Sequence, residues 1–224
     1  MRFTVSHRSF DILELLVGYG LILAVIWTPG SEQRVLYWSA FAWIAVTAWL
    51  RRNQARPLGL GLRGLRPSLW IILAAVVLFL LGIGIADLVH SLHDLYGPLP
   101  VVEHVAEYSF WALMQQFILQ VYVLLRLLRI GLRRAPAIAV AAVMFAVAHI
   151  PNPVLVPAVL IWAAICCWLY LRYRNLYPIA IAHGLLGMCI ALCVPNSVNH
   201  HMRVGLGYLR YGHHQHPGLE ITDR

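Results

Sequence analysis

Five polar side chains stand where so apolar a chain can least accommodate them. Gln115, Gln116 and Gln120 share one hydrophobic stretch, His149 closes a second, and His183 lies within a third. Amides and imidazoles at membrane depth are costly, so they face a bundle interior and often mark sites. Their chemistries are complementary. Histidine can serve as base or acid near neutral pH, whereas a glutamine amide donates and accepts hydrogen bonds without titrating. His149 and His183 are also the weak candidates for holding a divalent metal such as zinc. The competing reading is interhelical hydrogen bonding, worth about 0.6–2 kcal/mol for each side chain.

Depth argues for a shared site. At a rise of ~1.5 Å per residue, Gln116 lies roughly 15 Å from Arg126, His149 roughly 22 Å from Arg134, and His183 roughly 14 Å from Arg174. If those arginines mark one membrane face, all three groups fall in a broad layer near mid-membrane. Three helices could then present them to one cavity.

The elements that must position these residues are hydrophobic blocks. Hydrophobic residues make up 61% of the 224 and charged residues only 12%, against about 25% charged in a soluble domain. The blocks cover about 12–27, 35–50, 69–89, 109–128, 135–148, 154–171 and 176–194. Crossing ~30 Å of hydrocarbon takes roughly 20 apolar residues, and lipid leaves helices as the form for such blocks. The expected fold is therefore all-α: a polytopic transmembrane bundle of about seven spans, within a range of six to eight. One membrane domain over 1–198 and a histidine-rich tail over 199–224 complete the plan. The first block carries Asp11 and Glu14 at its start and no small-residue cleavage site after it, so it reads as retained.

The net charge of +8 comes from arginine alone, because the chain has no lysine. That excludes lysine as nucleophile or Schiff-base former. Arginines cluster at 51–66, 126–134 and 172–174, with Arg2 and Arg8 ahead of the first block. With seven spans these clusters share one side, which the positive-inside rule makes cytoplasmic. The expected place is then an inner (plasma) membrane, bacterial in type, with the N-terminus in the cytoplasm and the lipid bilayer as first partner. Nucleic acid is not expected, since no basic soluble face exists. Cys166, Cys167, Cys189 and Cys193 sit in apolar blocks and read as packing residues. Aromatics near block ends, such as Trp27, Trp111 and Trp168, read as interfacial anchors.

The loop Arg51–Ser68 reads as an interfacial connector. A metal site is conceivable where His90, His93 and Asp94 approach Glu103, His104 and Glu107, but solvated loop polars are the plainer reading. The tail histidines His200, His201, His213, His214 and His216 likewise read first as solvated and second as loose metal ligands.

The ordered stretches Gln115-Gln116-Phe-Ile-Leu-Gln120, Phe145-Ala-Val-Ala-His149 and His183-Gly-Leu-Leu-Gly187 resemble the CPBP intramembrane proteases, which include CAAX prenyl proteases and bacteriocin-immunity proteins. The resemblance covers about 103–194. The family pattern is Glu-Glu-x-x-x-Arg, then Phe-x-x-x-His, then His-x-x-x-Asn. It implies a glutamate that activates water with the help of a histidine, and a second histidine and an asparagine that stabilise the oxyanion. A metal has been read into and out of that site. Here glutamines replace both glutamates, Gln120 replaces the arginine and Gly187 the asparagine. Losing a general base costs about 10²–10⁴ in rate, and losing an oxyanion donor roughly 10²–10³.

Two routes keep catalysis open. His149 and His183 could supply base and acid, with Gln115, Gln116 and Gln120 positioning water or substrate. Alternatively Glu103 or Glu107 could stand in for the carboxylate, although Glu107 lies about 12 Å along the helix from Gln115. The expected function is therefore peptide-bond hydrolysis of the CAAX-protease type on a membrane-embedded or lipidated peptide, weak or absent if the glutamines disable it. A non-catalytic binding or immunity protein using the same cavity is the alternative. A small transporter is disfavoured, as no inverted repeat or mid-span acid is visible.

Overall fold

A computed structural model describes residues 5–51, 58–93 and 101–215. Among them there is no strand; the elements are helices α1 (Val5–Trp27), α2 (Gly30–Leu50), α3 (Leu65–Ser68), α4 (Trp70–Leu88), α5 (Val101–Phe117), α6 (Leu125–Ile130), α7 (Arg134–Val147), α8 (Leu155–Tyr173), α9 (Tyr177–Cys193), α10 (Asn196–Asn199) and α11 (Gly205–Gln215). A π-helical segment, Ile118–Leu124, joins α5 to α6 without a break. The all-α expectation holds.

Among the described residues, four helices are long and apolar enough to cross a membrane: Arg8–Trp27, Leu65–Leu88, Val105–Ile130 and Leu155–Tyr173. A fifth span results if Tyr177–Cys193 and Asn196–Met202, bent by 113°, count as one. This is fewer than the seven blocks suggested. Block α7 has only 14 residues. Helix α2 is long enough, but polar residues such as Ser31, Glu32, Gln33 and Arg34 open it.

The helices pair as α7 with α8, α4 with α9, α1 with α2 and α5 with α9. Small residues let the first pair approach closely: Ala137, Ala141 and Ala163 are fully buried, the packing that lipid favours where apolar contact alone gives no drive. At the other side α1 is fastened by charge. Glu14 pairs with Arg51 at 2.9 Å and with Arg126 at 3.3 Å, and Asp11 pairs with Arg129 at 2.8 Å. The Tyr122 hydroxyl donates to the Glu14 carbonyl, and the Arg126 guanidinium lies 3.8 Å over the Tyr122 ring. Arg126 and Arg129, read above as topology signals, therefore also hold α1 to α6.

Two asparagines fix the turns. Oδ1 of Asn152 accepts the amides of Val154 and Leu155 at 3.0 Å, starting α8. Its Nδ2 donates to the carbonyls of Asn199 and Arg203. Asn175 does the same before α9, accepting from the Tyr177 amide and donating to the carbonyls of Gly61 and Arg63. Over 58–64 the connector lies along 173–177. Gly64, at φ +76°, is required there because a Cβ would run into the Tyr173 carbonyl oxygen. The tail is not simply solvated either. The Gly205 amide donates to the Ile150 carbonyl at 2.8 Å, and α11 packs back on α1.

Candidate functional site

Helix α5 and α9 cross where Gln116 meets His183. Nε2 of Gln116 donates to Nδ1 of His183 at 2.8 Å, and Nε2 of Gln120 donates to Oε1 of Gln116 at 3.1 Å. As the amides are placed, donation runs from Gln120 through Gln116 to His183. Gln116 and Gln120 are fully buried. The π-helical segment begins two residues after Gln116 and contains Gln120; the Leu125 amide reaches back to the Gln120 carbonyl, five residues away. Such wide turns recur at functional sites.

His149 joins the pair through Phe145. The Phe145 ring centroid is 4.8 Å from that of His149 and 6.1 Å from that of His183. Nδ1–H of His149 donates to the Phe145 carbonyl at 2.6 Å. With the Gln116 amide so placed, the two imidazoles take opposite tautomers. His149 keeps its proton on Nδ1 and offers a lone pair at Nε2. His183 accepts at Nδ1 and carries its proton at Nε2.

Both rings line one cavity of about 1270 Å3, together with Gln115. It is larger than the usual few hundred to 1,000 Å3 of a small-molecule site, and mainly apolar, as such sites are. Gln116 and Gln120 do not line it. They are buried behind His183, with Gln116 bonded to its Nδ1 and Gln120 bonded to Gln116. Gln120 Oε1 has no partner among the described residues.

The alternative carboxylates do not reach the site. Glu103 and Glu107 are exposed on α5, and no acidic residue is among the described lining residues. Among the described residues no group of three or more His, Cys, Asp or Glu could hold a metal ion. Asp94 and His216 lie outside the described residues, as do the side chains of His104, His213 and His214. The donor set within the cavity fits zinc poorly. His149 and His183 offer two ring nitrogens and no carboxylate or third imidazole, one short of the three protein ligands of a catalytic zinc.

Two aromatic residues at the cavity were invisible to polarity-based reading. The Trp162 indole lines it, and its Nε1 has no partner among the described residues. Tyr108 also lines it and sits against Gly187, where a Cβ would meet the phenol oxygen and ring carbons. The side chain that the family pattern places at 187 thus has no room here; Tyr108 fills the space. The alternation of a glycine on α9 with a tyrosine on α5 was the available signal, and it is weak.

Residues 97–189 match the family model of type II CAAX prenyl endopeptidases, Rce1-like. That span contains all three motif stretches, so the family read from their order is the one this match shows for the segment. No curated protein and no solved structure matches the chain. The matched segment is similar to a CAAX-protease-type membrane protein, and the long apolar helices suit a place in a bilayer.

Proposed function

With residues 97–189 matching the type II CAAX prenyl endopeptidases, we infer that this protein holds a lipidated or membrane-embedded peptide in its cavity and hydrolyses a peptide bond there with histidine alone. The observation that carries this reading is the opposite tautomeric hold on the two imidazoles. Nε2 of His149 takes a proton from water as its oxygen attacks the carbonyl carbon. Nε2–H of His183 donates to the oxygen that gains charge. The proton on His149 then passes to the leaving amine. Gln116 and Gln120 position His183, and Gln115 contacts the peptide from the cavity wall. The arginine-rich helix ends face the cytoplasm.

A binding-only relative is favoured by a different observation, the lack of any carboxylate among the described lining residues. Without that base the rate is lower by about 10²–10⁴. Incubating the protein in nanodiscs with a farnesylated peptide and following the released fragment separates the two. Cleavage that His149→Ala abolishes supports the histidine site. Tight binding with cleavage only after Gln115→Glu/Gln116→Glu means that catalysis has lapsed while the cavity persists.

A further inference from the structure

The Arg203 end of the cavity carries chemistry that the proposed reading leaves unused. Of the described residues lining it, Arg203 alone bears a fixed charge, and none is acidic. Arg203 is not on a loose tail. Asn152 grips its carbonyl at 3.1 Å and that of Asn199 at 2.9 Å, and the Gly205 amide is bonded to the Ile150 carbonyl. The segment is thus fastened to the turn that begins at His149.

Aromatic and imidazole rings collect beside it. The Tyr211 ring centroid is 4.9 Å from that of His200, 5.2 Å from that of His201, and 5.1 Å from the guanidinium carbon of Arg203. The Nε2 of His93 is buried with no partner among the described residues. A single arginine on a mainly apolar cavity, with no carboxylate among the described lining residues, is complementary to an amphiphile with one anionic head.

The geometry points to a fatty carboxylate as a ligand of this cavity, its chain among the apolar walls and its head group on Arg203. The inference shares the cavity of the proposed function but requires no peptide bond and no hydrolysis.

Protein in phosphatidylcholine nanodiscs, titrated with labelled oleate, oleyl alcohol and oleoyl lysophosphatidic acid, tests it. Saturable oleate binding is expected, weakened about tenfold or more by Arg203→Gln, with oleyl alcohol binding more weakly and equally to both proteins. Equal binding of oleate and alcohol by the natural chain overturns the proposal, as does oleate binding that Arg203→Gln leaves unchanged. Binding of the phosphate without oleate overturns it too, by assigning Arg203 to a lipid phosphate. If Arg203→Gln loses the alcohol as well, Arg203→Lys decides: retained oleate binding supports the charge pairing, and lost binding contradicts it. A protein that binds oleate yet neither holds nor cuts the farnesylated peptide would refute the proposed function and leave this inference standing.

Discussion

Gln116 Nε2 lies 2.8 Å from Nδ1 of His183, and the amide is sealed from solvent while the imidazole opens onto the cavity. This pairing decides which nitrogen of His183 carries its proton. It also makes the glutamine a structural member of the site without giving it a proton to exchange.

Removing that amide should be felt first in stability. Gln116→Leu strands Nδ1 of His183 and Nε2 of Gln120 in a dry interior, at about 1–3 kcal/mol for each unsatisfied group. Thermal unfolding in detergent should show a lowered Tm. An unchanged Tm would mean the glutamines make no buried network.

The charge clamp on α1 should be the costliest to break. Glu14→Gln leaves Arg126, 1% exposed, without its carboxylate, a loss of about 3 kcal/mol or more. Pairing it with Arg126→Met should recover part of that loss, because two apolar or neutral groups leave no buried charge behind. If the double variant is less stable than either single one, the clamp contributes through packing instead.

Asn152→Ala removes the start of α8 and the anchor of the 199–205 segment together. A lost cap alone costs about 0.5–2 kcal/mol. Limited proteolysis should then cut faster within 199–211 than in the natural chain. Equal cutting rates would show that the segment is held by its apolar contacts.

Gly187→Ala should destabilise through Tyr108, whose ring carbons Cζ and Cε1 lie 2.7 and 2.8 Å from the added Cβ position. Overpacking of this kind costs about 1–3 kcal/mol. In a Tyr108→Ala background the same change should cost little, and the double-mutant cycle measures the difference. Equal costs in both backgrounds would place the strain elsewhere.

Much of this was legible before any coordinates. Hydrophobic block length fixed the helices, because lipid tolerates little else, and the depth count correctly brought Gln116 level with His183. The order of the motif stretches indicated the family. What could not be read was which glutamine faces the cavity. Gln115 and Gln116 are adjacent, so a helix places them some 100° apart, and only packing against α9 and the wide turn after Phe117 decides between them. The pairing of Asp11 and Glu14 with arginines far along the chain was also hidden, since arginine near a helix end serves topology and ion pairing alike. Asn152 sat in a break already marked by His149-Ile-Pro-Asn-Pro153, but its reach to Asn199 and Arg203 depends on a tail whose histidines suggested solvent.

The opposite tautomers of His149 and His183 underlie all the chemistry argued for this site, and nitrogen NMR of protein labelled with ¹⁵N-histidine in nanodiscs tests them most directly. His149 should show its proton on Nδ1 and His183 on Nε2. Gln116→Glu should move the His183 proton to Nδ1, where a carboxylate can accept it. A natural chain in which His183 already carries its proton on Nδ1 would leave the cavity without its donor and contradict the account.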